Sequence, residues 1–198
     1  SIISYTTNKL GGFEHGVFTR LGGISTGIFE GLNCGSGSKD DRDKIQFNRQ
    51  LVAAEMNVNG EDLITVHQEH SARVVVVDSS FDSLTKADAI VTNTPNLAIS
   101  VLTAACLPVL FTDKKNNVIG VAHAGWKGAL NGVLENTVRS MATIGADVGN
   151  IEAAIGPCIS PNNYEVGQDF FDIFIERNKD FEIYFSEGVE DKKYFFNL

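Results

Sequence analysis

The amino-acid sequence predicts an α/β or α+β fold with a central β-sheet. Short apolar runs rich in β-branched residues recur between residues 73 and 155 and indicate strands. Segments with apolar residues at helical spacing lie among these runs and indicate amphipathic helices. The chain has 198 residues, of which 43% are hydrophobic, and this length is typical of one domain. We therefore expect a single domain over residues 1–198.

The N-terminal part of the chain combines a turn-rich segment with one helix. Residues 1–41 are rich in glycine and threonine, which favours short strands and turns. Asp40 and Asp41 offer carboxylates that can cap a helix, and the apolar spacing extends that helix from Arg42 to Met56.

Five apolar runs form the middle of the sequence and predict strands. They cover residues 73–78, 89–91, 97–102, 108–112 and 118–122. Pro108 is compatible with a strand because it stands at the start of its run. Polar residues at 113–117 predict a turn between the last two strands.

The C-terminal third is predicted to contain two more helices. Apolar residues at spacings of 3, 4 and 7 predict a helix over residues 129–143, with Gly145 as its C-terminal cap. A strand at residues 151–155 and a helix at residues 168–178 follow. Strand-like segments are expected after Phe181.

The charge balance and the cysteines limit the partners and the compartment. The net charge is −9, from 16 basic and 25 acidic residues, which argues against nucleic-acid and acidic-membrane partners. The longest apolar run, residues 97–111, is interrupted by polar residues and a proline, and no secretory signal pattern is visible. Cys34, Cys106 and Cys158 do not form the pattern of a disulfide scaffold. We therefore expect a cytoplasmic protein.

Cysteine and histidine residues at strand ends are the candidates for chemistry. His123 directly follows the predicted strand at 118–122, and Cys106 stands between two predicted strands. Two histidines with one cysteine are consistent with a zinc site that keeps an open position, or with a thiolate nucleophile and a histidine base. The spacing favours neither chemistry. His67 and His70, three residues apart, could both be ligands, but we expect one to bind and the other to face solvent.

Five segments of the chain, taken together, resemble one family. They are residues 15–23 (HGVFTRLGG) with 31–33 (GLN), residues 66–67 (VH), residues 103–110 (TAACLPVL), residues 121–128 (VAHAGWKG), and residues 154–161 (AIGPCISP) with 164–167 (YEVG). Over nearly its whole length the chain is similar to the YfiH-type laccase-domain family. Members of that family are described as polyphenol oxidoreductases and as purine nucleoside phosphorylases with adenosine deaminase activity, and some bacterial members are linked to peptidoglycan precursor editing.

The resemblance implies a fold and a metal centre. The family fold is a mixed α/β arrangement, with helices layered over mixed β-sheets, and it is similar to the catalytic domain of cytotoxic necrotizing factor. By resemblance His67, Cys106 and His123 are the catalytic residues and the ligands of one zinc ion. One thiolate and two imidazoles leave one coordination position for water or substrate. Three ligands are too few for a multicopper centre, so copper in that form is not expected.

The resemblance also implies a reaction and its substrates. Phosphate would attack C1′ of adenosine, inosine or methylthioadenosine, and adenosine deamination is a second expected activity. Arg20 and Lys127 are candidate contacts of the phosphate, and Asn33 is a candidate hydrogen-bonding partner of the substrate. Each has a structural alternative: a surface salt bridge for Arg20, a solvated side chain for Lys127 and loop stabilisation for Asn33.

Two departures from the family pattern keep other functions open. Ala105 stands where the family usually has Asp, and an acidic group beside a zinc ligand can orient it or accept a proton. The family normally continues past Leu198, so the domain is expected to lack the usual C-terminal segment. The alternatives are a metal-independent Cys106–His123 hydrolase or amidase, for example on a peptidoglycan precursor, and a catalytically silent binding protein.

Overall fold

The computed structural model describes residues 2–78 and 85–198 of the chain. In chain order the strands are β1 (Ser4–Tyr5), β2 (Val17–Phe18), β3 (Leu63–Ile64), β4 (Val74–Val76), β5 (Ala89–Thr92), β6 (Ala98–Ile99), β7 (Leu107–Asp113), β8 (Val118–Ala124), β9 (Glu152–Ile155), β10 (Glu165–Gly167), β11 (Phe185–Glu187) and β12 (Lys193–Phe196). The α-helices are α1 (Arg42–Glu55), α2 (Trp126–Leu130), α3 (Val133–Thr143) and α4 (Gln168–Arg177). Single turns of 3₁₀-helix cover Asn8–Leu10, Gly27–Phe29, Gly60–Asp62, Val148–Asn150 and Pro161–Asn163, and a longer one covers Lys179–Tyr184.

A five-stranded mixed sheet in the order β4-β5-β8-β7-β9 forms the centre of the molecule. The β4–β5 pair is parallel and the other three pairs are antiparallel. A three-stranded antiparallel sheet, β10-β12-β11, lies towards the C-terminus, and β1–β2 and β3–β6 form two small pairs. The mixed sheets and the helices between them confirm the predicted α/β class.

Both faces of the central sheet are covered, which explains why its inner strands are apolar without interruption. On one face Ala89 and Val91 belong to the same buried cluster as Val133 and Met141 of α3. On the other face Ile90 packs in a cluster with residues of the β3–β6 region. Alternate residues of a strand point to opposite faces, so each face receives its own apolar set.

The C-terminal sheet is joined to the central sheet through aromatic side chains. Trp126, at the start of α2, packs its ring against Phe170 and Phe174 of α4, with centroids 4.8 and 6.1 Å apart. Phe174 in turn contacts Phe196 of β12 at 4.9 Å. Because α2 begins two residues after β8, this aromatic cluster connects the end of a central strand to the C-terminal layer.

A buried asparagine organises the turn-rich N-terminal segment. Asn48 of α1 is fully buried, and its Nδ2 donates to the main-chain oxygens of Gly31 and Asn33. The same amide group donates to Ser25 Oγ, while Oδ1 accepts from the N–H of Ile24. Helix α1 therefore holds residues 24–33 against its surface.

The predicted helix over residues 129–143 differs from the observed structure. The chain forms two helices, α2 and α3, which are separated at Asn131 and Gly132. Gly132 has a φ of +84°, a conformation that glycine adopts without the steric cost of a Cβ atom and that ends the first helix. The predicted cap is present, since Gly145 follows α3 with a φ of +107° and its N–H donates to Ala142.

Most other predicted elements are observed within two residues of their predicted bounds. The clearest exception is the strand predicted over residues 97–102, of which β6 retains only Ala98–Ile99. In the part of the chain that the structure describes, no helix combines the length and the apolar character needed to cross a bilayer.

Candidate metal centre

Three side chains from separate segments converge at one end of the central sheet. One ligand atom each of His70, Cys106 and His123 lies within 4.8 Å of the others. Cys106 directly precedes β7, His123 belongs to β8, and these two strands are hydrogen-bonded neighbours with Pro108 opposite His123. The antiparallel register therefore brings the cysteine and the buried histidine together, and His70 joins them from the turn before β4.

The three candidate ligands differ in their exposure to solvent. The His123 side chain is buried, Cys106 is half-buried and His70 is exposed. The His70 ring meets the His123 ring edge-on, with centroids 4.7 Å apart and planes at 90°. A small molecule would therefore approach the three ligand atoms from the side of His70.

Asp88, which the sequence analysis did not single out, orients His123. It stands directly before β5, and its main-chain oxygen accepts the N–H of His123 at 2.7 Å. Asp88 Oδ1 lies 2.9 Å from Nδ1 of the His123 ring. An ionised carboxylate only accepts hydrogen bonds, so Nδ1 carries the proton and Nε2 is the nitrogen left for a metal.

One signal in the sequence could have identified Asp88. Asp88 is an acidic residue directly before the apolar run that forms the central strand β5. A carboxylate beside a buried strand is almost never fully buried unless other groups pair with it. Asp88 is in fact 0% exposed. The partner itself comes from a strand 35 residues away in sequence, which explains why local patterns do not reveal it.

Burial and nearby charges shift the pKa values of two groups in opposite directions. Burial would raise the pKa of Asp88, but hydrogen bonds from His123, from Ser71 and from the N–H of Glu69 overcome it and hold that pKa well below its usual range. Burial raises the pKa of the Cys106 thiol, and the negative charge of Asp88 raises it further.

The structure does not bring His67 into the centre, in contrast to the ligand set predicted from the sequence. The N–H of His67 donates to Thr85 and its carbonyl accepts from Ala87, so its backbone pairs with that segment, and its side chain is exposed. Three residues later His70 has a φ of +60°, a left-handed turn that redirects the chain and places its ring beside Cys106. His70 therefore replaces His67 in the candidate ligand set.

A glycine keeps the space between two of the candidate ligands free. A Cβ atom on Gly125 would lie 2.7 Å from Nδ1 of His70 and 3.2 Å from Sγ of Cys106. Both distances are shorter than ordinary van der Waals contacts, so any side chain here would displace the ligands. The spacing of the ligand atoms and this free space fit a single metal ion.

The donor set consists of one thiolate and two imidazoles. Zinc accepts such donors, and three protein ligands leave a fourth position for water or substrate. Within residues 2–78 and 85–198 no second group of three such side chains is present. Both ring nitrogens of His15 are engaged, one with the N–H of Thr7 and one with the carbonyl of Phe13, so this histidine does not extend the centre.

The predicted substrate residue Asn33 has a structural role. Its Nδ2 donates to Ser38 Oγ and to Asp40 Oδ2, both at 3.0 Å, and its Oδ1 accepts the N–H of Gly35 at 3.1 Å. With both ends of the amide engaged, the side chain stabilises its own loop, which is the structural alternative stated for it.

Arg20 and Lys127, the two predicted cationic contacts, are both exposed to solvent. Arg20 is exposed, and its guanidinium donates to the main-chain oxygen of Glu30 at 2.9 Å. Lys127 is exposed, with Nζ 5.3 Å from the centroid of the Trp126 ring. Lys127 lies two residues beyond Gly125, in the first turn of α2, which follows the ligand-bearing strand β8.

Comparison with known proteins gives a consistent result. Residues 14–198 match the family model described as multi-copper polyphenol oxidoreductase laccase. A purine nucleoside phosphorylase of Deinococcus radiodurans is 39% identical over 155 residues, which cover 78% of this chain and 60% of that protein. One of Haemophilus influenzae is 36% identical over 181 residues, which cover 91% of this chain and 72% of that protein.

Solved structures agree with the sequence comparison. A Neisseria meningitidis protein superposes with a TM-score of 0.85 at 32% identity, covering 99% of this chain and 78% of its own. The YfiH protein of Bacillus licheniformis gives a TM-score of 0.81 at 29% identity, covering 92% of this chain and 72% of its own. Nearly all of the present chain matches the Neisseria protein, which is longer. The chain spans only 60% of the length of the Deinococcus relative.

Proposed function

The chain belongs to the multi-copper polyphenol oxidoreductase laccase family, the YfiH-type family that its motifs resemble, and we propose that it is a zinc-dependent purine nucleoside phosphorylase. The observation that carries the proposal is the convergence of one cysteine and two histidines within 4.8 Å, in a chain whose relatives are named purine nucleoside phosphorylases.

His70, Cys106 and His123 would hold the zinc ion. Bound there, zinc would supply a Lewis acid that polarises a substrate oxygen and lowers the pKa of a water. The protein's own contribution is the hydrogen bond that Asp88 accepts from Nδ1 of His123, which fixes the ring with Nε2 available. Because Gly125 has no side chain, nothing at this position displaces His70 or Cys106.

A multicopper oxidase is not supported by this chain. The sequence contains four histidines, and the ring of His15 is used for backbone hydrogen bonds. His67 is exposed and outside the centre, so a single group with two imidazoles and one thiolate remains. Such a group fits one ion rather than a cluster of copper ions.

Phosphorolysis of adenosine, inosine or methylthioadenosine is the reaction we assign. The bond between C1′ and the purine nitrogen breaks, a bond between C1′ and an oxygen of hydrogen phosphate forms, and the proton of that phosphate ends on the departing base. Lys127 is the leading candidate to bind the phosphate, because its ammonium is exposed beside the ligand-bearing connection. Arg20 is the second candidate, and deamination of adenosine is a further proposed activity of the same site.

A thiol hydrolase is the second candidate function, and one observation favours it. Asp88 contacts the His123 ring, and Sγ of Cys106 lies within 4.8 Å of a nitrogen of that ring. Cys–His–Asp triads contain the same three groups: the acid orients the histidine and the histidine activates the thiol. Two findings favour zinc instead. The pKa of Cys106 is raised rather than lowered, and a triad gives His70 no role.

The experiment that separates these functions is an activity assay from which phosphate or the metal is omitted in turn. Zinc-loaded protein is incubated with adenosine or inosine and inorganic phosphate, and the free base and the pentose 1-phosphate are separated by chromatography. We expect base release that requires phosphate and stops when a chelator removes the metal. Base release without phosphate, or activity that survives the chelator and is lost on thiol alkylation, would contradict the proposal.

A further inference from the structure

One buried carboxylate contacts both segments that carry the imidazole ligands. Asp88 Oδ1 accepts hydrogen bonds from His123 Nδ1 and from the main-chain N–H of His70, each at 2.9 Å. Asp88 Oδ2 accepts from the N–H of Glu69 at 3.2 Å and from Ser71, whose N–H and hydroxyl lie at 2.6 and 2.7 Å. One side chain thus receives five hydrogen bonds.

The turn that carries His70 is shaped around this carboxylate. The N–H groups of residues 69, 70 and 71 all point at Asp88, with His70 at a φ of +60°. Consecutive N–H groups in a left-handed turn form a concave site for an anion, and here the anion belongs to the protein itself. The left-handed conformation costs energy for a residue with a Cβ atom, so the hydrogen bonds to Asp88 must offset it.

We propose that Asp88 is the positioning residue of the metal centre, acting on both histidines at once. It holds the His123 ring through Nδ1, and it holds the His70 ring through the backbone of residues 69–71. Cys106 needs no such support, because the register of β7 and β8 already places it. The inference deepens the proposed function and rests on the metal centre described there.

Asp113 provides a matched control for a merely structural carboxylate. It is also 0% exposed, and it accepts from the N–H groups of Lys115, Asn116 and Asp147 and from the Asn116 amide. It ends β7, whereas Cys106 precedes that strand, so the two positions are roughly 20 Å apart along an extended strand. Asp113→Asn should therefore disturb the fold as much as Asp88→Asn without disturbing the metal centre.

The test compares the zinc affinity of the full chain with that of the two variants, by competition with a chromophoric chelator. An asparagine at position 88 has one acceptor oxygen and presents an NH₂ group to N–H donors. We expect Asp88→Asn to bind zinc about 10- to 100-fold more weakly, the range for loss of a hydrogen-bond partner behind a metal ligand. Asp113→Asn should bind zinc as the unmodified chain does, and thermal unfolding by circular dichroism checks that both variants are folded.

Four outcomes would overturn the inference or separate it from the proposed function. Unchanged zinc affinity in folded Asp88→Asn overturns it, and so does an equal loss in both variants. If the unmodified chain binds no zinc, the metal proposal fails. The positioning role of Asp88 is then tested in metal-free protein by long-range ¹H–¹⁵N spectra of the imidazoles. In metal-free protein we expect the Nδ1–H tautomer of His123, lost in Asp88→Asn; its persistence in that variant overturns the inference.

Discussion

Asp88 and His123 are joined twice, once through the backbone and once through their side chains. The N–H of His123 donates to the Asp88 main-chain oxygen at 2.7 Å, and the ring Nδ1 meets the carboxylate at 2.9 Å. The first bond continues the pairing of β5 with β8, so the strand register itself presents the carboxylate to the ring. A shift of one residue in that register would turn the ring to the other face of the sheet.

His70→Ala should remove most of the bound metal, whereas His67→Ala should leave it in place. His70 offers a ligand atom within 4.8 Å of the other two, whereas within residues 2–78 and 85–198 the hydrogen bonds of His67 are those of its backbone. Loss of a direct ligand should weaken binding by more than the roughly 10- to 100-fold that loss of an outer partner costs. Zinc per chain, measured by elemental analysis after dialysis, decides between them. Metal loss in His67→Ala alone would restore the ligand set predicted from the sequence.

Gly125→Ala should weaken metal binding without unfolding the protein. The φ of Gly125 is −73°, which alanine adopts freely, so the effect comes from the new Cβ pressing on His70 and Cys106. Overpacking costs about 1–3 kcal/mol, equivalent to roughly 5- to 150-fold in affinity. Gly167→Ala is the control, because Gly167 also precedes a helix, has a φ of −92° and has open space where the Cβ would stand. Equal zinc affinities of the two variants would show that the ligands do not need this space.

Ala105→Asp should raise the rate of nucleoside turnover. Ala105 is exposed beside the half-buried Cys106, and a carboxylate there could take or deliver a proton at the reacting groups. A positioned acid or base contributes about 10²- to 10⁴-fold, so a rise in kcat towards the lower end is expected, with unchanged zinc content. Ala104→Asp places the same charge one residue away and should give no comparable rise. Equal rates in the two variants would mean that the proton is handled elsewhere.

Asp113 should make the fold sensitive to acid. The Asn116 amide and the N–H groups of Asp147, Asn116 and Lys115 lower the pKa of Asp113 against the opposing effect of burial. A pKa that is lower in the folded state gives stability that is present above the pKa of the unfolded chain, near pH 4, and is lost as pH falls through the folded value.

Urea unfolding at several pH values between about 3 and 6 measures this effect. The free energy of unfolding of the unmodified chain should fall towards the acid end, and that of Asp113→Asn should fall less steeply. Parallel slopes for the two proteins would mean that Asp113 titrates alike in the folded and unfolded states.

Local sequence patterns predict the helices and strands more completely than they predict the metal centre. Helix α1 begins at its predicted residue because Asp41 caps it, with its side chain accepting from the N–H of Asp43. Strands β5, β7 and β8 are apolar because both sheet faces are covered. The break at Gly132 was missed because the apolar spacing continues across it, and only the backbone angle distinguishes one helix from two.

The candidate site depends on contacts that are distant in sequence. Cys106 and His123 could be singled out because each stands at the end of a predicted strand. The choice between His67 and His70 could not be made in this way, because it depends on the left-handed turn at His70. Asp88 stabilises that turn from 18 residues further along the chain, and the sequence pattern does not show this contact.

The uneven exposure of the three ligands has a kinetic consequence. His123 is buried in a sheet strand, whereas His70 lies on an exposed turn. An ion held by the three side chains would exchange with solvent through detachment of His70, since His70 is the exposed ligand and lies outside the sheet strands. The lifetime of the bound ion would then follow the opening rate of residues 69–71, and hydrogen exchange at those three amides would report the same motion as metal release.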